Sequence, residues 1–251
     1  MPDAEQIREL RRARERLDLY PMAVHANYLV NLASGDAVIR AQSIVAFRRE
    51  LERAAALGAE YLVVHPGSFK GRPAEEGLEG FALALRDAAA RLARNAVTVL
   101  LENTVGCGTQ AGGSFEELRA MRDRVAEVCD LPLGYCLDTC HLLAANYDVV
   151  SREGLEETIR RADAVLGLDD VKLMHANDSK QSLGSRRDRH ENIGEGYIGK
   201  AGFRRILAHP KLREKPFILE TPKEQEGDDR RNMENLKNLC PRSRTTTTRL
   251  S

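Results

Sequence analysis

The chain has 251 residues, 42% hydrophobic and 30% charged, the balance of a globular protein able to bury a sizeable core and not of a disordered one. Lysine plus arginine equals aspartate plus glutamate at 38 each, so no bulk charge draws it to a polyanion and any nucleic-acid surface has to be local. Five cysteines without a CxxC pair read as reduced thiols of a cytoplasmic protein, and no run approaches the ~20 apolar residues of a membrane span.

In chain order, the opening MPDAEQIRELRRARERLD reads as a charged helix with none of the apolar stretch of a signal peptide. Short apolar runs then alternate with amphipathic stretches. The runs are MAVH (22–25), EYLVVH (60–65), VTVLLE (97–102), LGYCLD (133–138), VKLMH (171–175) and PFILE (216–220). The first intervening helix is predicted from about Asp36 to Leu57, with Ile44, Phe47 and Leu51 at helical spacing and Gly58 as its stop. Others are predicted over 75–94, after a capping box in SFEE at 114–117, and over 151–166, 201–209 and 228–239. Short buried strands alternating with helices describe βαβ units and a parallel sheet. The regularity of the connections favours an α/β fold of the TIM-type (β/α) barrel over an open sheet. Six recognisable strands fall two short of the eight in a closed barrel, and the first two βα units are the ones expected to be lacking. Residues 1–239 are read as one barrel-type domain, and 240–251, which include RSRTTTTRLS, as a disordered low-complexity tail.

All six runs stop at a side chain able to hold a metal: His25, His65, Glu102, Asp138, His175 and Glu220. One such residue alone is ordinarily a hydrogen-bonded loop residue. In a parallel barrel, however, every strand delivers its C-terminal end to one rim, so six separate segments would ring a single mouth with imidazoles and carboxylates. His141, three residues after Asp138, can reach that mouth from the next loop. In DRHENIGEGYIG (188–199), Asp188 and His190 flank Arg189, a spacing that cannot share a helix face. They are expected to arrive on a loop folded over the rim by its glycines, with Arg189 turned toward an anionic substrate. Five of the six histidines fall in this set; His209, in LAHPKL, reads as a helix-end residue.

Five imidazoles and four carboxylates are too many for one tetrahedral zinc. Nitrogen and oxygen donors without thiolate suit Zn²⁺, with Mn²⁺ or Fe²⁺ as possibilities, and the set suffices for three ions if one carboxylate bridges two. Two ions ~3.5–4 Å apart can clamp the oxygens of a phosphodiester, so the chemistry points to metal-assisted hydrolysis of a phosphate ester.

These residues, in this order, resemble the endonuclease IV family of apurinic/apyrimidinic (AP) endonucleases. The motifs that carry the resemblance are HANYLVNLAS (25–34), HPGS (65–68), LENT (101–104), LDTCH (137–141), MHANDSK (174–180), DRHENIGEG (188–196) and LETP (219–222), within about residues 5–239. The resemblance implies a TIM-type barrel with three zinc ions. It implies a base-excision repair enzyme that cuts DNA 5′ to an abasic site, leaving a 3′-hydroxyl and a 5′-deoxyribose phosphate. His25, His65 and Glu102 would then hold one zinc. Glu102 would bridge to a second, held also by Asp138, His175 and Glu220, while His141, Asp188 and His190 would hold the third. Glu102 and Glu220 are the carboxylates taken as catalytic. Tyr28 and Leu29 match the residues that wedge into the duplex at the lesion, the competing reading of Tyr28 being a packed loop aromatic. The implied partner is double-stranded DNA with abasic sites, and the implied state is a monomer. The family begins with two further βα units, one with a DNA-contacting loop, ahead of the helix with which this sequence opens.

Weaker signals remain. VGCGTQAGGS (105–114) is glycine-rich but lacks the GK[ST] ending of a P-loop, and reads as a flexible βα loop. Cys136 and Cys140, on either side of Asp138, read as buried small hydrophobes. Lys180, Arg186, Arg187 and Arg189 form a basic cluster beside the expected metals, for which phosphate contact is preferred over a merely solvated loop. Two rivals stand against the main reading. One is a sugar isomerase or epimerase of the same barrel superfamily, using one or two ions held mainly by carboxylates. The other is a metal- or DNA-binding remnant without turnover. The surplus of histidines and the DRH triplet weigh against the first.

Overall fold

Each of the six apolar runs forms a strand in the computed structural model, which describes residues 3–93 and 96–241. They are β1 (Ala23–His25), β2 (Tyr61–Val64), β3 (Thr98–Glu102), β4 (Leu133–Asp138), β5 (Val171–His175) and, beyond a two-stranded insertion, β8 (Phe217–Ile218). All pair in parallel and in chain order, giving a barrel wall of six strands whose edges among the described residues are β1 and β8. The insertion, β6 (Asp178–Ser179) with β7 (His190–Glu191), is antiparallel and lies outside what the sequence predicts; strands of two residues leave no periodicity to read.

Parallel neighbours need crossovers, and helices supply them: α2 (Ala37–Leu57), α3 (Ala74–Ala89), α4 (Phe115–Ala126), α5 (Thr139–Ala144) with α6 (Arg152–Leu166), and α7 (Gly199–Ala208). They are flanked by α1 (Ala4–Leu17) and α8 (Asp228–Leu239). The Asp36 carboxylate accepts from Val38 N and Ile39 N to start α2, and Gly58 ends it in the left-handed conformation. Two expectations need correction. The helix expected over 75–94 ends at Ala89, and residue 94 lies outside the described residues, as does the expected tail from 242 onward. The capping box at 114–117 is half formed. Ser114 Oγ accepts from Glu117 N, but the Glu117 carboxylate accepts from Gly112 N and Gly113 N, tying the helix to the glycine loop before it.

Side chains alternate across a strand, so each strand contributes to two clusters. Leu62, Leu101, Tyr135, Leu137 and Met174 face the helices and pack with Phe47, Phe81, Phe115 and Phe203. The other face sends Val63, Leu100, Cys136 and Leu173, with Ala23, Tyr61 and Ile218, into a smaller cluster on the barrel's inner side. Between β4 and β5 the register shifts: Tyr135 lies beside Val171 but Cys136 beside Leu173, leaving Lys172 as the extra residue. That shift keeps inner and outer faces in phase and sets Asp138 beside His175. Among the described residues, no helix is long and apolar enough to cross a membrane.

Candidate metal centre

The two-residue period that fills the inner face also builds the site. Two positions after each inner-face residue stands a donor: Ala23 then His25, Val63 then His65, Leu100 then Glu102, Cys136 then Asp138, Leu173 then His175, Ile218 then Glu220. The apolar interior therefore continues into a polar rim at the C-terminal strand ends. Asp138 also caps α5, its Oδ1 accepting from His141 N at 2.8 Å, and this holds His141 within the first turn, facing the rim. Asp188 and His190 lead into and open β7. In strand-like backbone residues two apart leave by one face, so their convergence comes from that spacing and not from the glycines that follow.

Among the described residues, donor atoms no more than 4.8 Å apart form three groups free of cysteine, and two more in which Cys136 joins Glu102 and His175 and Cys140 joins Asp138 and His190. In the first, His25 Nε2 and His65 Nε2 stand 2.9 and 3.0 Å from Glu102 Oε2. In the second, His175 Nδ1 stands 2.9 Å from Glu102 Oε1 and 3.1 Å from Glu220 Oε2, with Asp138 completing the set. In the third, His141 Nε2 and His190 Nε2 each lie 3.2 Å from an Asp188 carboxylate oxygen. Glu102 is fully buried and belongs to the first and second groups at once. All nine donors expected from the sequence are thus brought together. His209 stands apart at the end of α7, 3.5 Å from Glu156.

Backbone carbonyls orient three of the rings. His25 Nδ1 donates to Ala26 O, His141 Nδ1 to Asn103 O and His190 Nδ1 to Glu220 O, which leaves each Nε2 facing its group. Burial opposes charge throughout, yet the opposite charges prevail. The imidazoles of His175, His65 and His141 hold the Glu102 carboxyl well below its ordinary range. Asp138 and Asp188 raise His190 to about 9, and Asp138, Asp188 and Glu102 raise His141 well above the usual imidazole value. Such a set of carboxylates and imidazoles, with each ion pair of Glu102 made to a histidine among the described residues, has the chemistry of a site for divalent cations.

Several supporting residues are invisible to sequence reasoning because they act between distant segments. Asn103 Oδ1 accepts from Asp138 N, and Asn177 Nδ2 donates to Asp138 Oδ2. The buried Asp178 carboxylate accepts from Ser179 N and Ile198 N at one oxygen and from Gly194 N, Gly196 N and Gly199 N at the other. The glycines of NIGEGYIG therefore cradle Asp178. The motifs LENT and HANDS contain these residues, but nothing in the spacing distinguishes them from loop polar groups.

The remaining expected site residues are dispersed around the rim. Tyr28 and Leu29, three and four residues past His25, are 87% and 72% exposed, which excludes the packed-aromatic reading of Tyr28. Arg187 is exposed, while the exposed Arg189 donates to Asp188 O. Arg186 is exposed as well, but its guanidinium reaches the neighbouring loop, donating to Val105 O and lying against Gly106, where an added Cβ would fall 2.7 Å from Nη1. The start of the glycine-rich 105–114 loop thus packs against this arginine, while Cys107, Gly108 and Thr109 are exposed. Cys136 and Cys140 are buried, as expected, and burial pushes both thiols up to about 12.

Comparison with known proteins adds the lineage. The family model described as xylose isomerase-like TIM barrel matches residues 1–239. A probable endonuclease 4 of Solibacter usitatus is 63% identical over 240 residues, covering 96% of this chain and 83% of its own length. One from Halothermothrix orenii is 39% identical over 218 residues, 87% of this chain and 77% of its own. The crystal structure of endonuclease IV from Thermus thermophilus superposes with a TM-score of 0.81 at 37% identity, over 95% of this chain and 82% of that one. A D-tagatose 3-epimerase-like protein, at 22% identity and a TM-score of 0.69, shares the fold. With every donor inside the matched span, the chain belongs to the endonuclease IV family of xylose isomerase-like TIM barrels.

Proposed function

We propose that this protein is a metal-dependent AP endonuclease of DNA base-excision repair, hydrolysing the phosphodiester 5′ to an abasic site. The observation that carries the reading is Glu102: one buried carboxylate turned to His25 and His65 with one oxygen and to His175 and His141 with the other, and shared by two of the three cysteine-free donor groups. His25, His65 and Glu102 would hold a first ion, Glu102, Asp138, His175 and Glu220 a second, and His141, Asp188 and His190 a third, with Zn²⁺ the best match to the donors. When bound, such ions lend Lewis acidity to the scissile phosphate and make water a stronger nucleophile at neutral pH.

The chain's own residues do the rest. Glu102 keeps the first two groups at a fixed separation and takes no part as a nucleophile. Carbonyl-oriented rings present Nε2 without reorganisation, so the donor set is preformed for substrate. Tyr28 and Leu29, exposed just past His25, supply apolar surface at the height of the rim, suited to filling the gap left when an abasic nucleotide leaves the stack. Arg187 and Arg189 supply positive charge beside the third group for the DNA backbone. The histidine-rich donor set favours this reading over sugar isomerisation. We further propose that residues 1–239 form one folded domain acting as a monomer.

The test is to purify the protein, measure ions per chain, and incubate it with duplex DNA carrying one abasic site. Three ions and a nick that leaves a polymerase-extendable 3′-hydroxyl are expected, with activity abolished by a chelator and restored by Zn²⁺. Metal binding without a nick would favour a binding remnant and overturn the proposal.

A further inference from the structure

The nine donors arrive on separate elements, so some group has to register them against one another. Asn177, fully buried two residues beyond His175, stands where three of those elements meet. Its Nδ2 donates to Asp138 Oδ2 at 2.5 Å, at the end of β4. Its Oδ1 accepts the backbone N–H of Glu220 at 2.8 Å, just past β8. The Asn177 main chain is itself clamped, since Thr139 Oγ1 donates to its carbonyl at 2.7 Å and accepts from its N–H at 3.0 Å. Glu220 O then accepts from His190 Nδ1 at 3.0 Å. Hydrogen bonds on either side of Glu220 therefore link the Asp138 carboxylate, the Asn177 amide, the Glu220 main chain and the His190 ring.

Only a side-chain amide fills this place. A carboxylate at 177 would bring no proton to Asp138, and an apolar side chain would leave the Glu220 N–H and an Asp138 oxygen without these partners inside the protein. The first group stands outside these links, because His25 takes its orientation from Ala26 O.

We infer that Asn177 is a positioning residue for two of the three metal groups. It aims Asp138 and Glu220 in the second and, through the Glu220 carbonyl, sets the tautomer of His190 in the third. The inference rests on reading the nine donors as metal ligands.

The experiment compares wild type with N177L and with N177S, a smaller polar variant that tolerates a water in the vacated space. Each is loaded with Zn²⁺, dialysed against graded chelator, and assayed for ions per chain by atomic emission, with circular dichroism of the metal-free form as the check on folding. Wild type is expected to retain three ions. Both variants are expected to keep one at wild-type affinity and to bind the other two about ten- to a hundredfold more weakly. A role confined to stability would weaken all three alike. Retention of all three, loss of all three together, or weakening of a single site overturns the inference. A wild-type chain that binds no ions would instead sink the metal reading itself, and this inference with it.

Discussion

At the scale of single residues, Glu102 concentrates the site's electrostatics. Replacing it by glutamine keeps the shape but removes the charge that faces the imidazoles of His25, His65, His141 and His175. Glu102→Gln is expected to lose ions from the first and second groups and to lower kcat by about 10²- to 10³-fold, as removal of a charge-stabilising group does elsewhere; metal analysis and steady-state cleavage of abasic duplex check both. The histidines predict a pH signature. His141, His175 and His190 are raised in the folded protein, so in the metal-free form their contribution to stability is complete below the unfolded value of ~6.5; that of His190 is lost as pH rises through about 9, and those of His141 and His175 as pH rises through their own raised values. Glu102, Asp188 and Glu220 are lowered, so their contribution is present above the ordinary carboxylate range of ~4 and lost on acidification. The metal-free protein should therefore melt at its highest temperature between about pH 4.5 and 6.5 and progressively lower toward pH 9. The loaded protein should do the reverse over about pH 6.5–9, because ions need unprotonated rings. Thermal melts with and without chelator across that range distinguish the two trends.

At the scale of elements, the segment from β6 to α7 carries Asp188 and His190 of the third group, His141 coming from α5, and Gly196 is its tightest point. A Cβ there would lie 2.4 Å from Ser179 O and 2.6 Å from Asp178 Oδ1, so Gly196→Ala has to push the loop off its carboxylate. Loss of one ion per chain, with the other two retained, is the expected result of metal analysis. By contrast, Ser114→Ala removes only the cap of α4, at about 1 kcal/mol, and should lower the melting temperature by about 2–4 °C without changing metal content. These two residues also mark what the sequence can and cannot reveal. Strands β1 to β5, β8, the stop at Gly58 and the cap Ser114 are legible because each is a local pattern, a short apolar run, a glycine closing a helical period or a polar residue ahead of one, whereas Asp36, expected as the start of α2, is its cap. The donors are legible for the same reason, each strand-end donor closing such a run. Asn177 and Asp178 are not, since their partners lie up to some forty residues away in sequence and only the fold brings them close. Glu117 departs from its expected role because the same side chain can serve the cap or the preceding glycines, and tertiary packing selects the glycines.

At the scale of the whole molecule, zero net charge leaves DNA affinity to local arginines. Arg187→Ala and Arg189→Ala are each expected to reduce the slope of log K against log salt by about 0.9. Arg186→Ala, whose guanidinium is engaged with Val105 O, should leave that slope nearly unchanged and lower the melting temperature instead; fluorescence anisotropy over a salt series separates the three. The sheet itself has a further consequence. Among the described residues its outermost strands, β1 and β8, are its two shortest; β1 ends at His25 and β8 two residues before Glu220, so the rim gathers donors from one border of the wall to the other. Cations seated there would act as rivets across the margins, binding the least supported backbone to the best supported. Stripping them with chelator should let the amides of 23–25 and 217–218 exchange with deuterium quickly while those of 98–102 and 133–138 stay slow, so that demetallation is felt first as fraying at the borders of the sheet.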